Sequence, residues 1–326
     1  MISRVSGFLA VLLLSLAGPL PGQNLKLEKN LTVPPDSEVK FAVISPKGDF
    51  VAAACKDGRV RLWAFPSGEQ RQVFDLTDQP ITALHFSDDG TLLAVGGDRG
   101  AGKIWGIPSG KLKLEFTVGV RVEALAFSPD RSLLAIARQE MPAQLWDLSM
   151  ARLVTDLPAK FSGSLAVAFS PDGQRLVSAD ADTEIRIYEA QTGALRATNS
   201  DFLLETLAVA FSPDSKYVYV GGADKTITAL DPVSGKSVRS FPKQSFVVGD
   251  LRVSQDGKSI AATYFDERGF RNPAPVLVWD VASGTVRTTI LQDGFTPNGG
   301  GFLQKNDGRL LLTSSSTGML QVWSVR

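Results

Sequence analysis

Leu165-Ala166-Val167-Ala168-Phe169-Ser170-Pro171-Asp172-Gly173-Gln174-Arg175-Leu176-Val177-Ser178 is two short apolar runs joined by a tight turn. Proline fixes φ and glycine tolerates positive φ, so Ser-Pro-Asp-Gly between such runs predicts a β-hairpin. A third run, Glu184-Ile185-Arg186-Ile187-Tyr188, ends on an aromatic, and a more polar run, Ala194-Leu195-Arg196-Ala197-Thr198, follows Gly193. The gradient from apolar to amphipathic to polar suits a four-stranded sheet whose first strand is crowded by neighbours and whose last faces solvent.

The same text recurs along the chain. The turn position is Gly48, Gly90, Arg131, Gly173, Ser215, Gly257 and Gly308, and a bulky apolar residue follows at Trp63, Trp105, Trp146, Tyr188, Leu230, Trp279 and Trp323. Six of the seven separations are 15 residues, and the sixth, from 257 to 279, is 22. Turn to turn the chain runs 42, 41, 42, 42, 42 and 51 residues. A period of about 40 to 45 with strand-like units is expected of propeller blades. The predicted fold is all-β, a seven-bladed β-propeller of four-stranded antiparallel blades, near 39–76, 81–118, 122–157, 165–198, 206–241, 247–290 and 298–326.

Phe127-Ser128-Pro129-Asp130, Phe169-Ser170-Pro171-Asp172-Gly173 and Phe211-Ser212-Pro213-Asp214, with Trp146-Asp147 and Trp279-Asp280, resemble the WD-repeat β-propellers over roughly residues 39 to 326. The resemblance implies a protein-binding scaffold. One departure stands out. Many repeats of that family carry a Gly-His pair whose His reaches the Trp through a Ser or Thr and a turn Asp, whereas this chain has a single His, His85, within a first strand. That network is therefore not expected in any blade, and Asp57, Asp182 and Asp224 are read as turn formers.

About 300 residues can bury roughly 75% of the unfolded chain's surface, and seven blades use the whole length, so one domain is expected over 23–326. The formal net charge is zero, with 34 basic and 34 acidic side chains, so nucleic acid is not an expected partner. Residues 1–22 stand outside the repeat. Arg4 is followed by an almost wholly apolar stretch from Val5 to Ala17, too short to span a bilayer and suited to a signal peptide cleaved after Ala17 or, less favourably, Gly22. The mature chain is then secreted or periplasmic, a monomer without an integral membrane span. Residues 23–38 serve as closing strand and lead-in. The chain stops three residues past Trp323, and Leu25-Lys26-Leu27-Glu28 repeats Leu112-Lys113-Leu114-Glu115, the polar strand of blade two. Leu25 to about Leu31 is predicted to supply the outer strand of the last blade, which would otherwise leave an open edge.

Chemistry-bearing residues are few. One His and one Cys cannot form a zinc or haem set, so no cofactor and no metal are expected. Cys55 reads as a packed strand residue. Asp180, Asp182 and Glu184 could be written as a calcium loop but read more simply as a polar turn. His85 stands where Ala126, Ala168 and Ala210 stand in other blades, an interior substitution beside the axis. Gly299-Gly300-Gly301 opens a strand with no helix behind it, so it is no phosphate loop.

What remains is surface. Loops that join outer to next inner strand, and second to third strand, should share one face, and candidate contacts there are Arg99, Arg121, Arg138, Phe202 and Glu205, with Asp98, Glu123 and Glu140 beside them. The seven-residue insertion, within Tyr264 to Pro275, adds Asp266, Arg268, Phe270 and Arg271, and its two Phe, two Arg and one Tyr are types enriched at binding hot spots. Two function classes compete: a non-catalytic interaction or scaffolding propeller holding a protein or peptide on that face, and a propeller enzyme or small-ligand binder with a polar axial site. Arg252, in a first strand where other blades carry Ala or Val, and Asp250 two residues earlier keep the second open, although their pairing with each other or a contact with a neighbouring blade is the simpler account.

Overall fold

The computed structural model describes residues 25–31, 33, 37, 39–76, 79–159, 163–265, 275–290, 300–305, 308–314 and 320–325. Six sheets are each built of four consecutive antiparallel strands. Their inner strands are Val39–Ile44, Ile81–Phe86, Val122–Phe127, Ser164–Phe169, Thr206–Phe211 and Val247–Val253. A further four-stranded sheet is composite: Gly300–Lys305, Gly308–Ser314 and Leu320–Val325 are joined by the N-terminal strand Leu25–Leu31. That strand runs antiparallel to Leu320–Val325, from Leu25 opposite Val325 to Leu31 opposite Leu320. The outer strand expected from the repeated Leu-Lys-Leu-Glu text is therefore present. Inner strands touch those of the next blade all the way round, and the composite sheet's inner strand touches those of blades six and one. The result is a closed propeller.

Why the Ser-Pro-Asp-Gly text recurs is visible in the turns. Ser170 Oγ donates to Asp172 at 2.5 Å and accepts the Arg175 N–H at 2.8 Å. Ser128, Ser212 and Ser254 repeat both bonds with Asp130, Asp214 and Asp256 and with the N–H five residues on. A Ser two residues before an Asp thus locks the turn from inside, where the backbone donor would otherwise be unpaired. The hydrogen bond from Ser128 holds the Asp130 carboxyl below its ordinary range, and that from Ser212 does the same for Asp214. The residue after the Asp is left-handed even where it is not glycine: φ is 63° at Arg131 and 59° at Ser215. Such a backbone costs a side-chain-bearing residue on the order of 1 kcal/mol.

The core is distributed between blades rather than gathered in one body. Residues of blade one, Val60, Leu62, Phe74 and Leu76, share a cluster with Ile81, Leu84, Leu93 and Trp105 of blade two. The Phe74 and Trp105 rings lie 4.9 Å apart there. Of the bulky residues expected at the third-strand ends, Trp63, Trp105, Tyr188, Leu230 and Trp279 are buried. Close inter-blade approach demands small residues at Gly96 and Gly221. A Cβ at Gly96 would sit 2.4 Å from Val122 Cγ1, and one at Gly221 2.6 Å from Val248 Cγ1. Cys55 is buried and free, and burial pushes its thiol up.

Candidate functional site

Antiparallel order puts second-to-third-strand turns and inter-blade loops on the same face, and hydrogen bonds tie them together. Asp98 N–H donates to the Pro80 carbonyl, Gln139 to Arg121, Ala181 to Gly163 and Ala223 to Glu205. On this face Arg99 is exposed, and its backbone N–H donates to Gln79 Oε1 at 2.7 Å. Arg121 is half-buried in a three-residue cluster, 2.5 Å from Asp98 and 3.0 Å from Glu123. Arg138 is placed differently from the loop position expected of it. It ends the strand Leu133–Arg138, is only 3% exposed, and donates to the Pro142 carbonyl at 2.7 Å and to Asp156 at 2.5 Å. Its donors are turned into the blade, so it is not offered to a partner.

Between blades four and five, Phe202 is half-buried and packs against the inter-blade core, while Glu205 is exposed. The residues this loop presents outward are ones the sequence reading passed over: Leu203, 91% exposed, and Leu204. The sequence signal for them is an apolar pair in a loop flanked by Asp201 and Glu205, beside a more conspicuous aromatic. Asp266, Arg268, Phe270 and Arg271 lie outside the described residues, as does the leader.

Asp57, Asp182 and Asp224 do form turns, each accepting the N–H two residues on. Two of them do more. Arg61 reaches Asp57 at 2.6 Å, and Arg186 reaches Asp180 and Asp182, both at 2.5 Å, as well as Glu184. Arg186 and Asp180 are 2% and 1% exposed at the side chain. Burial alone would lower the Arg186 guanidinium, but the bonds from Asp182 and Asp180 hold it above its ordinary value. Ser178 bridges Asp180 at 3.0 Å and the Tyr188 hydroxyl at 3.3 Å. In blade four an arginine-centred network thus links the turn to the third-strand Tyr188 through Asp180 and Ser178. It also occupies the carboxylates of the calcium-like turn, and no group of potential metal ligands occurs among the described residues.

Along the axis, the inner strands line a cavity of about 770 Å³. Its walls are largely Ala, Val and Leu, interrupted by His85, Asp250 and Arg252. Arg252 and Asp250 pair at 3.3 Å. His85 is driven down to about 3 by burial and, secondarily, by the charge of Arg252; its Nδ1 has no hydrogen-bond partner among the described residues. Burial raises the Asp250 carboxyl, with Arg252 pulling the other way. At the mouths stand Lys40, Arg121 with Glu123, and Asp88.

A ring of four-stranded blades with a loop-rich face and a narrow axial channel defines a propeller of the repeat type. Residues 45–121 and 125–202 match the family model described as the anaphase-promoting complex subunit 4 WD40 domain, and residues 204–228 match the WD domain, G-beta repeat. No individual curated protein matches the chain. The chain belongs to the WD-repeat β-propellers. Proteins of this fold generally mediate protein–protein interaction. Among the described residues no helix is long and apolar enough to cross a membrane.

Proposed function

We propose that the chain is a non-catalytic interaction propeller, exported from the cytoplasm as a monomer, with the composite sheet as its seventh blade. It holds a protein or peptide partner on the face that carries the inter-blade loops. The observation that carries this reading is the outward pair Leu203 and Leu204, held up by the anchored Phe202 beside the exposed Glu205. A leucine 91% exposed on a loop with an anchored base is what an apolar contact surrounded by polar residues needs. Arg99 and the Arg121–Asp98–Glu123 cluster supply polar contacts on the same face, and Phe270 with Arg271 in the insertion is proposed to extend it.

The test is affinity purification of the tagged protein from its native host with mass spectrometry, comparing the parent chain with Leu203→Asp/Leu204→Asp and with Phe270→Ala/Arg271→Ala. Loss of the same partner from both variants is expected. Full retention by the leucine variant sinks the assignment of the face. Export is checked by N-terminal sequencing of the protein recovered outside the cytoplasm, which is expected to begin at Gly18; a chain still beginning at Met1 overturns it.

A further inference from the structure

The channel carries a pattern that partner binding on the loop face does not use. Counting back five residues from each left-handed turn gives one ring of wall positions: Val43, His85, Ala126, Ala168, Ala210 and Arg252. Four of these six positions are Ala or Val. Yet the only His of the chain and an Arg stand in this ring, on blades two and six. Two residues nearer the loop face, where four blades carry Ala, blade six carries Asp250. His85 and Arg252 thus share one layer whose other described positions are Ala or Val, and Asp250 stands in the next layer toward the loop face.

Among the described residues Arg252 has donors to spare. His85 Nδ1 is buried and unpartnered among the described residues. The Arg252 side chain keeps 41% of its surface open to the channel and makes one ion pair, at the long distance of 3.3 Å. A guanidinium has five N–H donors in a planar fork that matches a carboxylate bidentately. Asp250, its ion-pair partner among the described residues, also accepts the Leu251 N–H at 2.9 Å. Beside His85 the Phe127 ring lies 6.0 Å away, and alanines form the facing wall. The cavity volume falls in the range of about 300 to 1,000 Å³ usual for small-molecule sites. Lys40, Lys56 and Arg121 accompany Asp88 and Glu123 in the lining, so within the apolar layers the Arg252 fork beside Asp250 is the cationic feature that an acid would meet.

We propose that the axial channel binds a small monocarboxylate, its anionic head on the Arg252 fork and its compact apolar body against the alanine and Phe127 wall, which the half-buried His85 ring also lines. The site shares Arg121 and Glu123 at its mouth with the partner surface but takes its ligand deeper, on the axis, and needs no bond to be made or broken.

Because His85 is the only histidine, its imidazole signals in a proton–carbon NMR spectrum report on this channel without assignment. The purified full chain is titrated with acetate, butyrate and benzoate, and separately with butyramide and benzamide. A saturable shift with butyrate or benzoate, absent with the matched amides, is expected. Arg252→Gln should weaken that binding at least about tenfold, the loss of a charge-assisted hydrogen bond. Asp250→Asn should tighten it, since the fork is no longer shared. Circular dichroism verifies the fold of each variant, and should Arg252→Gln fail to fold, Asp250→Asn carries the test. No saturable shift with any acid, equal shifts with acids and amides, or binding unmoved or weakened in Asp250→Asn overturns the proposal. As the probes are read on the isolated protein, none of these results bears on the loop-face partner.

Discussion

His85 gives the most direct test of the interior. In the unfolded chain its imidazole titrates near 6.5, and in the folded channel it is driven down to about 3. Between those values the unfolded state binds the extra proton, so stability falls as the pH is lowered through the window. At pH 5 the unfolded chain gains RT ln(1 + 10^1.5), about 2 kcal/mol, and at pH 7 only about 0.2 kcal/mol. Ala fills the equivalent position in blades three, four and five, so His85→Ala should fold without repacking. Urea unfolding of the two proteins at pH 7 and pH 5 isolates the effect, because every other titrating group is common to both. The parent should lose about 2 kcal/mol more than His85→Ala over that interval. Losses equal to within about 0.5 kcal/mol would show that His85 ionises freely, as it would in a wide, water-filled channel, and would refute the reasoning.

Three further outcomes follow from the packing. Gly96→Ala places a Cβ against Val122 and should cost about 1 to 3 kcal/mol in chemical denaturation, with Val122→Ala in the same chain recovering part of it; full stability of the single variant would count against the close inter-blade approach. Arg186→Met leaves the buried Asp180 carboxylate without its cation and should lower stability by about 3 to 5 kcal/mol at pH 7, an effect reduced by adding Asp180→Asn. Deleting residues 23–33 removes the strand paired with Leu320–Val325 and should lower the thermal midpoint measurably; an unchanged midpoint would refute the role of that strand.

Much of the fold was legible because the turn chemistry repeats. Arg131 and Ser215 could be placed at the left-handed position by spacing alone, although neither residue type advertises it. The closing strand was legible because four letters of another blade reappear at Leu25. Arg138 was not legible. It occupies the strand-end position that Asp180 holds in blade four, and a lone charge there looks like a loop residue until the fold brings Asp156 from the outer strand alongside. The arginine network was missed for a related reason: Asp57 and Arg61, or Asp182 and Arg186, are four apart across a hairpin, and only the bend of the turn brings them into contact. Leu203 was missed because apolar content predicts burial, and what exposes it is the anchoring of its neighbour Phe202.

The pairing of Leu25–Leu31 with Leu320–Val325 also sets an order of events. Loop-closure entropy makes distant contacts slow to form, and this one spans almost the entire chain: Ser324 donates to Glu28 across 296 positions. Each blade of consecutive strands can assemble from its own hairpins as soon as it is made, but the first strand to be synthesised is the last to find its place. The ends then behave as a clasp, and once fastened they erase the distinction between start and finish. A chain whose ends are joined by a short linker and reopened at another exposed turn has the same ring to close, and only the position of the clasp has moved.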